Sequence, residues 1–562
     1  MNARADILQA IQDAPEVPVL ILGGGINGVG LYRELALQGV RCVLVDKADF
    51  AAGATSKSSR MIHGGLRYLE SREFKLVRES LAERNRLIDS APHYVSPLKT
   101  TIPLFSWLGG LVRSSLIFCG FDVRPGGRGA LICTLGLTFY DFVTRKHRRT
   151  PRHYLTLRKK SLARVPGLHP GIVATATYWD AQITEAERLC IELLQDAQAA
   201  APDCQALNYV QTVGVRDGAV VLCDDLGGHE FAVRPQVVVN ATGAWVDKAN
   251  AALGLDTEFM GGTKGSHLMV DNAELRNALG DSMVYYEHTD GRVCITYPFA
   301  DKVMMGSTDI RIDDPDAAAC DSGEIEYMLA TLRDVFPDIT IHRDDIVFVF
   351  CGVRPLPSSH GNVTATISRG HSIRTLEPTA ERPFAIDCLI GGKWTTFRAF
   401  AEQVADKLLA QLGRERRCAT DLLPIGGGRD YPHSSGEKAA WVQRVAKESG
   451  LTDERVRALF QRYGTSAGAY AASVGAAGET PLATLPDYAA EEVQRIAADE
   501  WLVHLTDLVC RRSLIAIRGC ASDAVLAELA DVVGDALGWD AARKEEETKQ
   551  AQAEVAVPAL QS

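Results

Sequence analysis

An apolar run at residues 17–22 leads directly into GGGINGVG, and a second apolar run at 41–45 closes on Asp46. This order reads as strand, glycine turn, helix, strand, the opening of a parallel α/β sheet. Within it, Gly23-x-Gly25-x-x-Gly28 has a separate demand on each glycine. Gly23 permits the tight turn, Gly25 lets backbone approach a pyrophosphate, and Gly28 allows close helix–strand packing. The helix N-terminus adds positive potential, with Asn27 in its first turn. Asp46, at the end of the second strand, is placed to accept hydrogen bonds from an adenosine ribose. The pattern predicts a dinucleotide site but does not separate FAD from NAD.

The rest of the chain reads in three textures. Amphipathic helices are expected at 72–90 and 185–200. Strand-like runs fill 205–240 and 266–310, so a β-rich insert interrupts the α/β pieces. After residue 415 helices are expected at 436–448, 452–463, 489–515 and 522–540. Gly426–Gly428 reads as a linker into that helical part, and the polar stretch 542–562 as a frayed or disordered tail.

Composition excludes several classes. With 562 residues, 46% hydrophobic and 23% charged, the chain is globular and of several domains rather than disordered or polytopic. A net charge of −11 disfavours a nucleic-acid binder. The 13 cysteines form no CxxC pair, so no zinc site is signalled and reduced thiols of an intracellular protein are expected. No metal is expected. The N-terminus lacks an apolar signal core.

One stretch stands apart. Residues 101–121 carry a single charge, Arg113, and are long enough to span a bilayer. Pro103, the hydroxyl side chains and the central arginine favour an interfacial or buried element instead. The flanking arginines at 124, 128, 145, 148 and 149 fit a surface facing anionic lipid.

Three further segments bear on the cofactor: SKSSRMIHGGLRY at 56–68, VVVNATGAW at 237–245 and GGKWTTFR at 391–398. Together they resemble the glycine-oxidase and D-amino-acid-oxidase class of flavoproteins. Adding TKGSHLMV (263–270), MMGSTD (304–309), FCGVRPL (350–356) and DEWLVHLTDLVCRRS (499–513), the chain resembles the FAD-dependent sn-glycerol-3-phosphate dehydrogenases from about 17 to 520. The resemblance implies a discontinuous Rossmann-like FAD-binding domain (1–95, 171–255 and 352–412). It also implies a β-rich substrate or cap domain (96–170 and 256–351) and an α-helical C-terminal domain (413–545), with 546–562 as tail.

It further implies an activity: oxidation of sn-glycerol 3-phosphate at C2 by FAD, with electrons passed to a membrane quinone. The alternatives are an oxidase using oxygen and a non-catalytic flavin-binding protein. A peripheral position on the inner face of the cell membrane and a homodimer are also expected. Cofactor contacts fall on Gly23, Gly25, Asn27, Gly28, Asp46, Ser59, Arg60, Gly64, Gly65, Thr242, Gly243, Gly391, Gly392 and Thr395. A phosphate dianion needs cations, which assigns Arg67 and Lys393 to the anion, with Tyr68 and Thr396 as supporting donors. Arg354 either binds phosphate or stabilises the developing alkoxide. The general base is His63 or His267. His267, with Lys264 nearby, is alternatively a substrate contact. Asp309 and Glu70 are expected to be structural.

Overall fold

Strand Glu16–Leu22 lies between two parallel neighbours, Cys42–Val45 and the distal half of His229–Asn240. A parallel strand covered on both faces needs apolar side chains throughout, and the two short runs supply them. Successive side chains alternate between faces. Val19, Ile21, Cys42 and Leu44 enter a core shared with helices Ile26–Leu37, Ala186–Ala200 and Phe397–Gln411. Leu20, Leu22, Val43 and Val45 enter a second core on the opposite face, with helices Arg4–Asp13 and Val246–Ala252.

The computed structural model describes residues 4–66, 73–109, 129–145, 148–288, 290–358, 370–475 and 478–558. Among these, the first sheet has eight strands. Its main path runs His371–Leu376, Ala385–Gly391, His229–Asn240, Glu16–Leu22, Cys42–Val45 and Gln205–Leu207.

The second sheet has ten strands and is mainly antiparallel. Its main path runs Ile310–Arg311, Thr263–Val270, Lys302–Gly306, Val293–Phe299, Ser282–Glu287, Val95–Leu104, Ala174–Ile183 and Met61–Ile62. Register sets what faces the first sheet: His267 lies opposite both Gly306 and Phe350, and Thr263 lies opposite Arg354. One face packs on helix Ser322–Arg333, the other on C-terminal helices including Asp523–Leu537.

Tertiary structure changes two local expectations and adds detail to two more. Residues 489–515 are not one helix: Ala490–Asp499 stops, and Asp507 accepts the Val503 and His504 N–H groups at 2.9 Å each to start the next turn. The expected tail is helix Ala541–Val555, capped by Asp540. That helix is anchored because Glu547, fully buried, accepts the Leu505 N–H and pairs with His504. Gly426–Gly428, which leads into the helical part, is closely packed. A Cβ at Gly427 would lie 1.9 Å from the Tyr463 carbonyl oxygen, and one at Gly428 2.3 Å from that of Ser90. Finally, the first part of 101–121 is strand, paired along Val95–Leu104 with Ala174–Ile183. Residues 110–128 lie outside the described residues, and no described helix is long and apolar enough to cross a membrane.

Candidate active site

A cavity of about 720 Å³ opens at the carboxyl ends of the parallel strands, where open α/β sheets bind ligands. Its walls come from the glycine turn, residues 46–48 and 52–55, the turns at 242–245 and 391–395, and the second sheet at His267 and Arg354. Both sheets are therefore needed to enclose it.

The glycine turn has the shape its spacing implies. Gly23 sits at φ +103°, and a Cβ at Gly28 would lie 1.9 Å from the Gly23 carbonyl oxygen. Gly28 thus lets the helix seat on the turn and does not itself line the cavity. Asp46 accepts the Gly24 N–H at 2.6 Å and the Ala48 N–H at 2.8 Å. Burial pushes its carboxyl up to about 6, against those two hydrogen bonds. Asn27 Oδ1 is buried in the described structure without a hydrogen-bond partner. Gly391 and Gly392, at φ +73° and +98°, bring a second turn against the cavity.

These observations fit a flavin dinucleotide. An orphaned buried acceptor, a carboxylate held at a strand end and three turns of bare backbone are what such a group requires. Gly23, Gly25, Asn27, Asp46, Ser59, Thr242, Gly243, Gly391, Gly392 and Thr395 all line the cavity.

The candidate chemical groups converge on the same cavity. The His63 backbone N–H donates to Thr395 Oγ1 at 3.2 Å. His267 Nε2 lies 2.7 Å from Ser59 Oγ, and its ring stacks on Phe350 at 4.9 Å. That ring occupies the space left by Gly306, where a Cβ would sit 2.2 Å away. Burial, and then the charges of Arg354 and Arg60, push the imidazole down to about 3. His267 is therefore neutral throughout the physiological range.

Arg354 donates to Asp309 at 3.0 Å, to Ser307 Oγ and the Thr308 carbonyl at 2.9 Å, and to the Lys264 carbonyl. Its guanidinium lies over Gly265, where any Cβ would clash at 2.3 Å. Lys393 is buried and donates to Ser80 Oγ at 3.1 Å.

Several expected contacts are placed elsewhere. Lys264 turns away from the cavity to Glu324 at 2.6 Å, with Asp321 and the Ala319 carbonyl completing its shell. Arg60 makes a buried bidentate pair with Glu187. Gly64 donates its N–H to Tyr140 and Asp180, and Gly65 does not line the cavity. Thr396 is buried behind it, bonded to the Lys393 carbonyl. Arg67, Tyr68 and Glu70 lie outside the described residues.

Other contributors had no legible motif. Thr55 Oγ1 accepts the Ile26 N–H at 3.0 Å, bracing the helix start. At one edge of the cavity, Asp316 accepts from Lys47 at 2.9 Å, Lys248 at 2.5 Å and Trp245 Nε1 at 2.6 Å. This strap ties the 314–317 turn across to the dinucleotide sheet, and only pairing between distant segments creates it.

Comparison with known proteins points to the same cofactor. Residues 18–406 match the family model of FAD dependent oxidoreductases, and residues 418–544 that of the C-terminal domain of alpha-glycerophosphate oxidase. A glycerol-3-phosphate dehydrogenase of Synechocystis sp. is 34% identical, over 93% of each chain. One from Mycobacterium leprae is 30% identical, over 93% of this chain and 85% of its own. In fold, the chain is similar to a Bacillus halodurans glycerol-3-phosphate dehydrogenase solved with FAD. That likeness has a TM-score of 0.75, 21% identity, and covers 98% of this chain and 97% of the other.

Proposed function

The chain belongs to the FAD-dependent oxidoreductase family, and from that premise we propose that it oxidises sn-glycerol 3-phosphate to dihydroxyacetone phosphate and passes the electrons to a membrane quinone. The observation that carries this reading is the meeting of two cations, Arg354 and Lys393, with His63 in one cavity lined by the dinucleotide turns. FAD, when bound, supplies the acceptor for the hydride leaving C2.

The chain's own residues do the rest. Arg354 and Lys393 hold the phosphate dianion, Arg354 through a planar fork already oriented by Asp309 and Ser307. His63 takes the C2 hydroxyl proton. His267 is a poor base at neutral pH and serves instead as a hydrogen-bond partner of Ser59.

The membrane side of the reading rests on a surface. Phe105, Trp107, Leu108, Leu131, Leu135 and Phe142 are all exposed, Leu108 by 63% and Leu135 by 62%. Arg145, Arg148, Arg149, Arg158, Lys159 and Lys160 follow in the same stretch of chain. Exposed apolar side chains followed in the chain by basic ones suit an anionic bilayer surface.

An anaerobic flavin spectrum tests the chemistry. The flavin band is expected to bleach on adding sn-glycerol 3-phosphate and return on adding a quinone analogue. Arg354→Ala should abolish bleaching while flavin stays bound. A band that never bleaches sinks the substrate assignment, and return only with oxygen, with stoichiometric peroxide, makes the protein an oxidase. For the surface, Leu108→Asp/Leu135→Asp should lose binding to vesicles containing phosphatidylglycerol. Wild-type protein that ignores such vesicles removes the membrane reading.

A further inference from the structure

Asp49 lies three residues beyond Asp46 and is fully buried. Its partners come mainly from the C-terminal helical part. Arg512 clasps both carboxylate oxygens at 2.8 Å each, and Arg511 Nε donates to Oδ2 at 2.5 Å. Asn208 Nδ2 adds a fourth donor at 2.9 Å. The two arginines sit on a one-turn π-helix, Leu508–Arg512, a widened turn that recurs at functional sites.

That turn is itself anchored. Arg512 Nε donates to the Glu500 carbonyl at 2.9 Å, and Arg188 makes a bidentate pair with Glu500 while donating to the Arg512 carbonyl. Arg511 also donates to Asp507 at 2.6 Å, which Tyr209 bonds as well. Against the burial that would raise it, the two arginines hold the Asp49 carboxyl down to about 2.

The loop that Asp49 belongs to braces the glycine turn. Ala51 donates its N–H to the Gly24 carbonyl at 3.0 Å, and the Phe50 ring lies where a Cβ on Gly24 would meet it at 2.4 Å. Ala51 takes φ +63°, a conformation disfavoured for any residue with a Cβ, which persists only when its surroundings impose it. Phe50 packs edge-on against Trp501 of the C-terminal part at 5.7 Å. Residues 52–55 then line the cavity.

We propose that the C-terminal helical domain is part of the cofactor site: Arg512, with Arg511, acts through Asp49 as a positioning residue that sets loop 46–55 against the dinucleotide turn. This inference rests on FAD occupying the cavity. Removing the clasp should relax the loop and loosen flavin without touching the substrate end.

The test compares flavin release from holoenzyme, followed by recovery of flavin fluorescence after dilution, in Arg512→Lys, Asp49→Asn and a control, Arg455→Lys. Arg455 pairs with Glu479 and Glu492 in the same helical part rather than with Asp49. Arg512→Lys keeps the charge but cannot span both oxygens. It should release FAD at least tenfold faster than wild type, with KM for glycerol 3-phosphate unchanged at saturating FAD. Asp49→Asn should match it, and the double variant should be no worse than either single change. Arg455→Lys should lower Tm while leaving flavin release at the wild-type rate. Equal release rates for Arg512→Lys and wild type, or for Arg512→Lys and Arg455→Lys, would overturn the proposal. Should Arg512→Lys fail to fold, Arg511→Lys, which keeps the Arg512 fork, is read by the same criterion. Wild-type protein that binds no FAD would refute the cofactor reading itself, a distinct outcome.

Discussion

FAD binding should depend on pH through Asp46. In the cofactor-free chain, burial raises this carboxyl from its ordinary 3.8 to about 6. The Ala48 and Gly24 N–H groups and Lys47 oppose the rise, and Asp49 adds to it. A folded-state value above the unfolded one contributes stability that is full below about 3.8 and is lost as pH rises through about 6. At neutral pH the empty site therefore carries an under-solvated carboxylate, at about 1.4 kcal/mol per unit a penalty of about 3 kcal/mol. Ribose hydroxyls donating to Asp46 relieve it and return the group towards its ordinary range, so binding releases a proton. Affinity should then rise about tenfold from pH 5 to pH 7 and level off above. The assay is titration of apoprotein with FAD by quenching of flavin fluorescence across that range. Asp46→Asn should flatten the curve. A flat wild-type curve, or an equal slope in Asp46→Asn, refutes the assignment of Asp46 to the ribose.

Other outcomes follow from single contacts. Gly28→Ala drives a methyl to 1.9 Å from the Gly23 carbonyl oxygen. It should raise the FAD dissociation constant by about a hundredfold or more despite the roughly 1 kcal/mol gain in helix propensity, as read by flavin retention on gel filtration. Because His267 is neutral above about 3, an acidic limb in the kcat profile, which reports the substrate-bound enzyme, should survive His267→Gln and disappear in His63→Gln. Asp316→Asn unties Lys47, Lys248 and Trp245. The Lys47, Lys248 and Asp316 side chains are roughly half exposed and each ion pair is worth at most about 1 kcal/mol. FAD release should quicken about two- to fivefold at low salt, and the difference should vanish near 0.5 M salt, roughly the screening regime.

The amphipathic segments were legible because their information is local. The glycine turn needs three residues at fixed spacing, and Phe74–Ser90 and Ala186–Ala200 follow the helical period in their own sequence. The helix Ala541–Val555 was not legible. Its sequence is polar almost throughout, and it is held by Ala551 in the C-terminal core and by the buried carboxylate of Glu547, whose partners His504 and Leu505 lie some 40 residues away. The break before Leu505 was hidden for a similar reason, since Asp507 looks helical until its side chain caps the preceding backbone.

At the site the same division holds residue by residue. Gly23, Asp46, His63, Arg354 and Lys393 line the cavity from motifs that are each a continuous stretch of chain. Lys264 and Arg60 sit in equally good motifs and point elsewhere, to Glu324 and Glu187. A long side chain can swing several ångströms to the carboxylate that tertiary packing buries beside it. Sequence alone determined the dinucleotide turn and the three textures of the chain, all properties of neighbours along the chain. Only the tertiary structure decided which cations reach the cavity, that His267 is neutral, and that Arg512 grips the cofactor loop. Those depend on burial and on charges brought together across hundreds of residues, where the energy of a group is set by what surrounds it in space.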